Sequence, residues 1–357
     1  MKTHGTGFTE VYAHSNAFPY DLSVNINPLG PTNKLQILRK FISCYPGNSY
    51  AKLIAALCKL HIVNPKQIAL GAGLDGLLHD FILCFLKPGE HFLMPEVTFQ
   101  NPCFSAALAG GIVKKIPMNN DLSVDFEALS ASLVGKESII FLCHPNNPTG
   151  LLEDLTKIKQ LLKATKALVI IDEANIEYTS GPSCLSLLSQ FSNLVVMRSF
   201  SKAYGLAGMR IGYSLACEHI HSKLHNSRPP FNVSGIASEM AIQALEDQKH
   251  LADSLKFVKK ENQYLSEALK GLNYQVIPSD SNTLLVRLPL EKQMSVKEFI
   301  QNLNALNCHV VHGAYFNLPE GFFRIAPRSR DINENFINAL KHITLQQQHV
   351  KRFSSII

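Results

Sequence analysis

Charge is what this 357-residue chain has least of: Asp, Glu, Lys and Arg make up 17% of it, against roughly 25% in an average soluble protein. With hydrophobic residues at 46%, that scarcity excludes a disordered chain and leaves apolar material for a large buried sheet. The net charge of 34 − 28 = +6 is scattered. Its densest stretch, Lys256 to Lys260, has helical spacing and reads as a solvated face, so the clustered footprint of a nucleic-acid binder is missing. The eight cysteines form no C-x-x-C and no short pair beside paired histidines; most lie inside apolar runs, as buried free thiols do. No apolar stretch reaches the roughly 18 residues of a membrane span, and Met1 to Glu10 lacks a signal-peptide core. Internal repeats and low-complexity segments are absent too. These absences predict a cytoplasmic globular protein with no membrane or nucleic-acid partner, and the length, at roughly 150 residues per domain, predicts two domains or one large domain with an appendage.

What is present is a rhythm. Residues 1–45, punctuated by Pro19, Asn25, Asn27, Pro28, Gly30 and Pro31, read as an irregular arm. Thereafter short apolar runs at Gln67–Leu70, His91–Met94, Ile112–Ile116, Ser138–Cys143, Ala167–Ile171, Leu194–Arg198 and Ile211–Leu215 alternate with helical patterns at 50–60, 74–86, 97–109, 126–133, 153–164 and 184–190. Continuously apolar strands alternating with helices predict an α/β domain over 46–245, its mostly parallel central sheet covered on both faces. After Pro230 a long amphipathic helical region runs to Gly271. Strands at Gln275–Ile277, Thr283–Leu288 and 308–312 then mix with helices at 296–306 and 331–345. That change of texture predicts a smaller α+β domain over 246–345, joined by the arm, and a frayed tail at 346–357. His309 and His312 fall on one strand and face opposite sides, so they make no metal pair, and no metal site is expected.

Sheets of this kind bind ligands beyond the carboxyl ends of their strands. Three candidate strands end there in chemistry. Ser138–Cys143 is followed by His144-Pro145-Asn146-Asn147-Pro148-Thr149-Gly150, Ala167–Ile171 by Asp172-Glu173-Ala174-Asn175, and Leu194–Arg198 by Ser199-Phe200-Ser201-Lys202 with Gly205, Gly208 and Arg210 beyond. A partly desolvated lysine forms Schiff bases with carbonyls. Hydroxyls and a guanidinium fork match phosphate oxygens, and a strand-end carboxylate keeps a heteroaromatic nitrogen protonated. An aldehyde anchor, a phosphate cup, a pyridinium partner and a polar group for a ring hydroxyl are what pyridoxal phosphate requires.

The stretches H-P-N-N-P-T-G, D-E-A-N-I-E-Y and S-F-S-K-A-Y-G-L-A-G-M-R-I-G-Y resemble the signatures of the class I/II aminotransferases, pyridoxal-phosphate enzymes of fold type I. The resemblance runs from His4 to Leu340. It implies pyridoxal 5'-phosphate as cofactor, with Lys202 binding its aldehyde and shuttling the proton, Asp172 paired with the pyridinium nitrogen, and Asn147 on the ring hydroxyl. It also implies a phosphate site made by Ser199, Ser201, Arg210 and the backbone N–H groups of Leu74 and Asp75 at a helix N-terminus. Phe99 matches the aromatic that stacks on the ring, and Arg324 the arginine that clamps a substrate α-carboxylate or its equivalent. Tyr45 matches a tyrosine that reaches the phosphate from a neighbouring subunit, which implies a homodimer. Asn175 stands where many relatives have tyrosine, and its amide would serve the ring oxygen instead.

Two branches of the family are close. Arg228 to Ser234, R-P-P-F-N-V-S, is similar to histidinol-phosphate aminotransferases. The early His4-Gly5, Ser23 to Pro31 (S-V-N-I-N-P-L-G-P) and Arg324 to Ser329 (R-I-A-P-R-S) are similar to threonine-phosphate decarboxylases of cobalamin side-chain synthesis. Both take a phosphorylated amino substrate, which implies His4, Asn27, Arg324 and Arg328 as substrate-binding residues. An aminotransferase with a keto-acid acceptor is the preferred reading and the decarboxylase the alternative. The two differ in which bond at Cα stands perpendicular to the ring, a torsion that sequence does not fix. Two further classes are weighed. Gly71-Ala72-Gly73-Leu74-Asp75-Gly76, with Glu90 and Glu96 downstream, matches the dinucleotide fingerprint of an NAD-binding dehydrogenase. A ligand sensor on the same fold normally carries an N-terminal DNA-binding domain, for which a 45-residue arm leaves no space.

Overall fold

A computed structural model describes residues 18–37, 45–46, 50–289 and 294–354, with side chains to Leu345. The arm contributes β1 (Tyr20–Asp21). Seven strands then build the main sheet: β2 (Ile68–Gly71), β3 (His91–Pro95), β4 (Ile112–Ile116), β5 (Glu137–Cys143), β6 (Leu168–Asp172), β7 (Leu194–Ser199) and β8 (Gly212–Ala216), in the order β2-β8-β7-β6-β5-β3-β4. Only β8 runs against the rest. The central strands, S-I-I-F-L-C, L-V-I-I-D and L-V-V-M-R-S, are apolar on both faces because both faces are covered. The edge strand β4, I-V-K-K-I, carries lysines and is half exposed, which keeps the edge from pairing with another chain.

The period of two along each strand sorts its residues between two layers. Ile140, Leu142, Val169, Ile171 and Val196 pack on one side with α1 (Ala51–His61), α5 (Leu155–Ala164) and α7 (Gly235–Glu246). Ile139, Phe141, Cys143, Ile170, Val195 and Met197 pack on the other with α2 (Gly73–Phe85), α3 (Pro102–Leu108) and α6 (Glu218–Ser227). A short α4 (Phe126–Ala131) joins the first layer. Side-chain caps fix several starts: Asp154 accepts from Thr156 N–H at 2.7 Å before α5, and Ser234 from Ala237 N–H at 3.1 Å before α7.

The long α8 (Gln248–Gly271) leads to a second core, where β9 (Gln275–Val276), β10 (Leu284–Arg287), β12 (Val311–His312) and β13 (Phe322–Ile325) form an antiparallel sheet against α9 (Val296–Ala305) and α10 (Arg330–Ser354). The arm is stitched to this part. Strand β1 runs parallel to β11 (Cys308–His309), Ala326 N–H donates to Leu22 O at 2.8 Å, and Leu22 is wholly buried there. Thr32 Oγ1 donates to Asp247 Oδ2 at 2.6 Å and so ties the arm to the start of α8.

Several expected boundaries move. The helix over 97–109 shrinks to Pro102–Leu108, because Pro102 sits at a helix start and 97–101 stays a loop. The helix at 184–190 is a single 3₁₀ turn, Cys184–Leu187. The strand over 308–312 is two strands in different sheets; His309 bonds Asn304 Oδ1 at 3.0 Å and His312 caps Ala314 N–H at 3.0 Å. Helix α10 continues to Ser354 through most of the segment expected to fray.

Candidate active site

The carboxyl ends of β5, β6 and β7 open on a cavity of about 790 Å³ lined by Asn25, Phe99, Asn147, Asp172, Asn175 and Lys202, among others. Asp172 is the last residue of β6, and its Oδ1 accepts Ala174 N–H at 2.9 Å, which sets the carboxylate's orientation. Burial pushes its carboxyl up to about 6, against the pull of the Ala174 bond. Lys202 follows β7, and its Nζ donates to Asn25 Oδ1 at 2.6 Å. Burial, helped by the Arg324 charge, brings this amine down to about 8, while Asp75 and Asp172 oppose the change. An amine lowered and a carboxyl raised in one cleft are the signature of groups set up for chemistry rather than for stability.

One end of the cavity is built for an anion. Ser199 and Ser201 are buried, and Ser201 N–H donates to Ser199 Oγ at 3.0 Å. Helix α2 begins without a side-chain cap, so the backbone N–H groups of Leu74 and Asp75 in its first turn lack the usual partner. Arg210, held at φ 48°, lies across them: Nη1 donates to Ala207 O at 3.1 Å, and Nη2 is 3.5 Å from Asp75 Oδ2. That ion pair is half exposed and weak, which leaves the guanidinium free to exchange partners. Gly73 permits the arrangement. Its φ is +73°, and a Cβ there would lie 2.6 Å from Arg210 Nη2.

Arg324, on β13, is 2% exposed and joins three parts of the molecule. Nη1 donates to Asn147 Oδ1 at 3.1 Å, Nη2 donates to the Ser23 carbonyl of the arm, and the guanidinium sits 5.0 Å from the centre of the Phe316 ring. Asn175 is buried, and its Oδ1 has no hydrogen-bond partner among the described residues. A buried unpaired amide oxygen is costly unless a ligand serves it.

Other expected residues lie elsewhere. Asn27 is a correction: its amide nitrogen is spent on Ala203 O at 2.8 Å and Ser254 Oγ at 2.9 Å, and its oxygen on Leu29 N–H at 2.9 Å, outside the cavity wall. Asn25, two residues earlier, lines the cavity instead. Arg328 stands beside the cavity rather than on its wall; its backbone N–H donates to Asn333 Oδ1 at 3.0 Å, and its buried Nη1 has no hydrogen-bond partner among the described residues. Burial lowers its pKa, with Asp21 as the opposing charge. Tyr45 is 86% exposed, away from the cleft of its own chain, with its ring 5.6 Å from that of Phe231. His4 lies outside the described residues.

Sequence reasoning missed Asn25, and nothing in the sequence ranks it above Asn27. It also missed Cys143, the final residue of β5, whose strand-end position was a usable signal. The dinucleotide reading fails on topology: β2 and β3, on either side of Gly71–Gly76, lie on opposite sides of the sheet rather than as neighbours.

The donor set fits pyridoxal phosphate. An anion site lies at a helix start with two hydroxyls and an arginine, a carboxylate and an amine face one cavity, and Asn175 presents an unserved polar atom. Residues 21–340 match the family described as aminotransferase class I and II. Histidinol-phosphate aminotransferase from Caldicellulosiruptor saccharolyticus is 32% identical over 331 residues, 90% of this chain and 91% of that one. The structure of histidinol-phosphate aminotransferase from Clostridium acetobutylicum superposes with a TM-score of 0.81 at 26% identity, covering 90% of this chain and 98% of that one. L-threonine-O-3-phosphate decarboxylase from Porphyromonas gingivalis superposes at 0.76 with 22% identity, over 91% and 99%, a likeness of fold alone. The chain belongs to the class I and II aminotransferases. It is a pyridoxal-phosphate-dependent aminotransferase of fold type I, and it is similar to the histidinol-phosphate enzymes. No helix among the described residues is long and apolar enough to cross a membrane.

Proposed function

We propose that this enzyme moves the amino group of a phosphorylated amine of the histidinol-phosphate kind to a keto acid, and that it works as a homodimer. The observation that carries the reading is the meeting of Lys202, Asp172 and the Arg210 anion site at the ends of adjacent strands around one cavity. Identity to a histidinol-phosphate aminotransferase across nine-tenths of the chain supports the substrate class. The exposed Tyr45–Phe231 ring pair supports a partner subunit on that face.

Pyridoxal phosphate, when bound, supplies the electron sink for breaking a bond at the substrate α-carbon. Ser199, Ser201, Arg210 and the first turn of α2 would hold its phosphate, Phe99 its ring face, and Asn147 and Asn175 its ring hydroxyl. Asp172, ionised above about 6, would keep the ring nitrogen protonated. Lys202, with a pKa of about 8, is neutral often enough near neutral pH to take a proton from carbon and then return it. Arg324 would orient the polar head of the substrate, already braced by Asn147 and the arm. Arg328 and the arm would receive the second phosphate.

A second reading, decarboxylation of a phosphorylated amino acid, is favoured by one contact. Asn25, which reaches Lys202, belongs to the S-V-N-I-N-P stretch that resembles the decarboxylases. One experiment separates the two. The yellow holoenzyme, without keto acid, is mixed with histidinol phosphate or with O-phosphothreonine, and colour and released CO2 are followed together. Bleaching without CO2 is the expected result for histidinol phosphate. Persistent colour with CO2 from phosphothreonine would overturn the transamination reading.

A further inference from the structure

Each cleft residue at the end of β5, β6 and β7 has a strand neighbour that points through the sheet. Cys143, Asp172 and Ser199 share the face of Phe141, Ile170 and Met197, so His144, Glu173 and Arg198 fall on the opposite face, with Leu142, Ile171 and Val196. There they meet in a buried ionic cluster. Glu173 is fully buried; it accepts Cys184 N–H at 2.6 Å and Ser183 Oγ–H at 2.8 Å, and lies 2.8 Å from Arg198 Nε. Arg198 donates from Nη1 to Glu177 Oε1 at 3.1 Å and from Nη2 to Ser183 Oγ at 2.9 Å. His144, Glu173 and Cys184 come within 4.8 Å of one another, the spacing of a metal site. Two of the three are already engaged, however: His144 Nε2 bonds the Pro182 carbonyl at 3.1 Å, its Nδ1 accepts Glu153 N–H at 3.3 Å, and Glu173 is ion-paired with Arg198.

We infer that Glu173 and Arg198 are positioning residues for the cofactor floor: pinned from the far face of the sheet, they fix the backbone from which Asp172 and Ser199 project. The inference rests on the cofactor reading above. The mechanism is geometric. Glu173 N–H donates to Met197 O at 2.9 Å and His144 N–H to Asp172 O at 2.8 Å, so the ladder holds the peptide group between Asp172 and Glu173 from both neighbouring strands. Beyond that peptide the β6 ladder stops, and the side chains of Glu173 and Arg198 add a cross-link between the ends of β6 and β7. A rotation that freed Glu173 would turn the Cα–Cβ bond of Asp172 with it, because neighbours on a strand share one peptide plane. Arg198 and Ser199 are linked in the same way.

The test compares Glu173→Gln, Arg198→Lys and the neutral pair Glu173→Gln/Arg198→Met with Glu261→Gln. The last breaks an ion pair at the second core, where Arg330 Nη2 lies 2.9 Å from the buried Glu261 Oε1 and the arginine is partly exposed. Three quantities are read: the pyridoxal-phosphate dissociation constant, the visible circular dichroism of the bound cofactor, and the thermal midpoint of the cofactor-free protein. The first three variants are expected to bind the cofactor about tenfold more weakly or worse, the usual cost of losing a partner that orients a ligand-binding group, and to lose part of the dichroic band. Glu261→Gln is expected to lower the thermal midpoint and leave affinity and band in place. Where Arg198→Lys does not fold, Glu173→Gln, which leaves Arg198 paired with Glu177, carries the comparison. Wild-type uptake of cofactor with unchanged affinity and dichroism in the folded variants overturns this inference alone. Wild-type protein that takes up no pyridoxal phosphate overturns the functional reading and this inference with it.

Discussion

The depressed pKa of Lys202 sets how fast the cofactor-free protein captures pyridoxal phosphate, because only the neutral amine attacks an aldehyde. An ordinary lysine at 10.5 would be about 0.03% neutral at pH 7, whereas one at about 8 is about 9% neutral, a gain of about 300-fold. The same difference is about 3 kcal/mol of penalty on the charged form. Its largest source is burial, and next the Arg324 guanidinium. The assay is stopped-flow absorbance of cofactor uptake between about pH 6 and 10. The rate should climb tenfold per unit at low pH, level off above a midpoint near 8, and keep that form when cofactor concentration is varied. Arg324→Gln keeps a donor for Asn147 and the Ser23 carbonyl but removes the charge, and should move the midpoint upward. A midpoint near that of a free lysine, or a downward shift in Arg324→Gln, would refute the reasoning.

Two further outcomes follow from groups that oppose each other. Asp172→Asn should weaken cofactor affinity yet raise the thermal midpoint of the cofactor-free protein at pH 7. The folded carboxyl titrates near 6 instead of 3.8, so wild-type stability falls as pH rises through that window, and the asparagine avoids the loss; equal midpoints in scanning calorimetry at pH 7 would count against it. Gly205→Ala should destabilise by at least about 1–3 kcal/mol, because φ is +71° and the new Cβ would lie 2.3 Å from the Gly30 carbonyl oxygen of the arm. Denaturant unfolding measures this, and a stability within error of wild type would remove the close approach of arm and Lys202 loop.

The parts of the site that were legible in the sequence are those fixed by strand ends. Asp172, Ser199 and Lys202 follow apolar runs too short and too β-branched to be anything but buried strands, and a parallel sheet gathers such ends on one side. The reversal of β8 was not legible, since an apolar strand buried on both faces has no polarity written in its pattern. Val97 and Phe99 carried the apolar spacing of a helix, yet one packs with Leu285, Val311 and Phe322 of the antiparallel sheet and the other faces the cavity, with Pro102 starting the helix later. Asn25 and Asn27 are alike in type and lie two residues apart in an irregular arm, where no strand or helix period says which of them faces the cleft. Only the distant partners, Lys202 for one and Ser254 for the other, decide it. The ionic cluster beneath the sheet escaped for the same reason: Glu173, Glu177 and Arg198 are ordinary charges until the fold brings three segments together.

The pairing of β1 with β11 has a consequence for how the enzyme is made. The arm leaves the ribosome well before its partner strand and the Ala326 N–H that holds Leu22. Strands β2 to β8 can assemble from contacts available much earlier, so the large sheet and its strand ends should exist while Asn25 still has no seat. Lys202 is then open to the cofactor on one side, and the wall that includes Asn25 and the Ser23 carbonyl closes only when the C-terminal core forms. A segment translated ahead of the large sheet finds its place only after that sheet has formed.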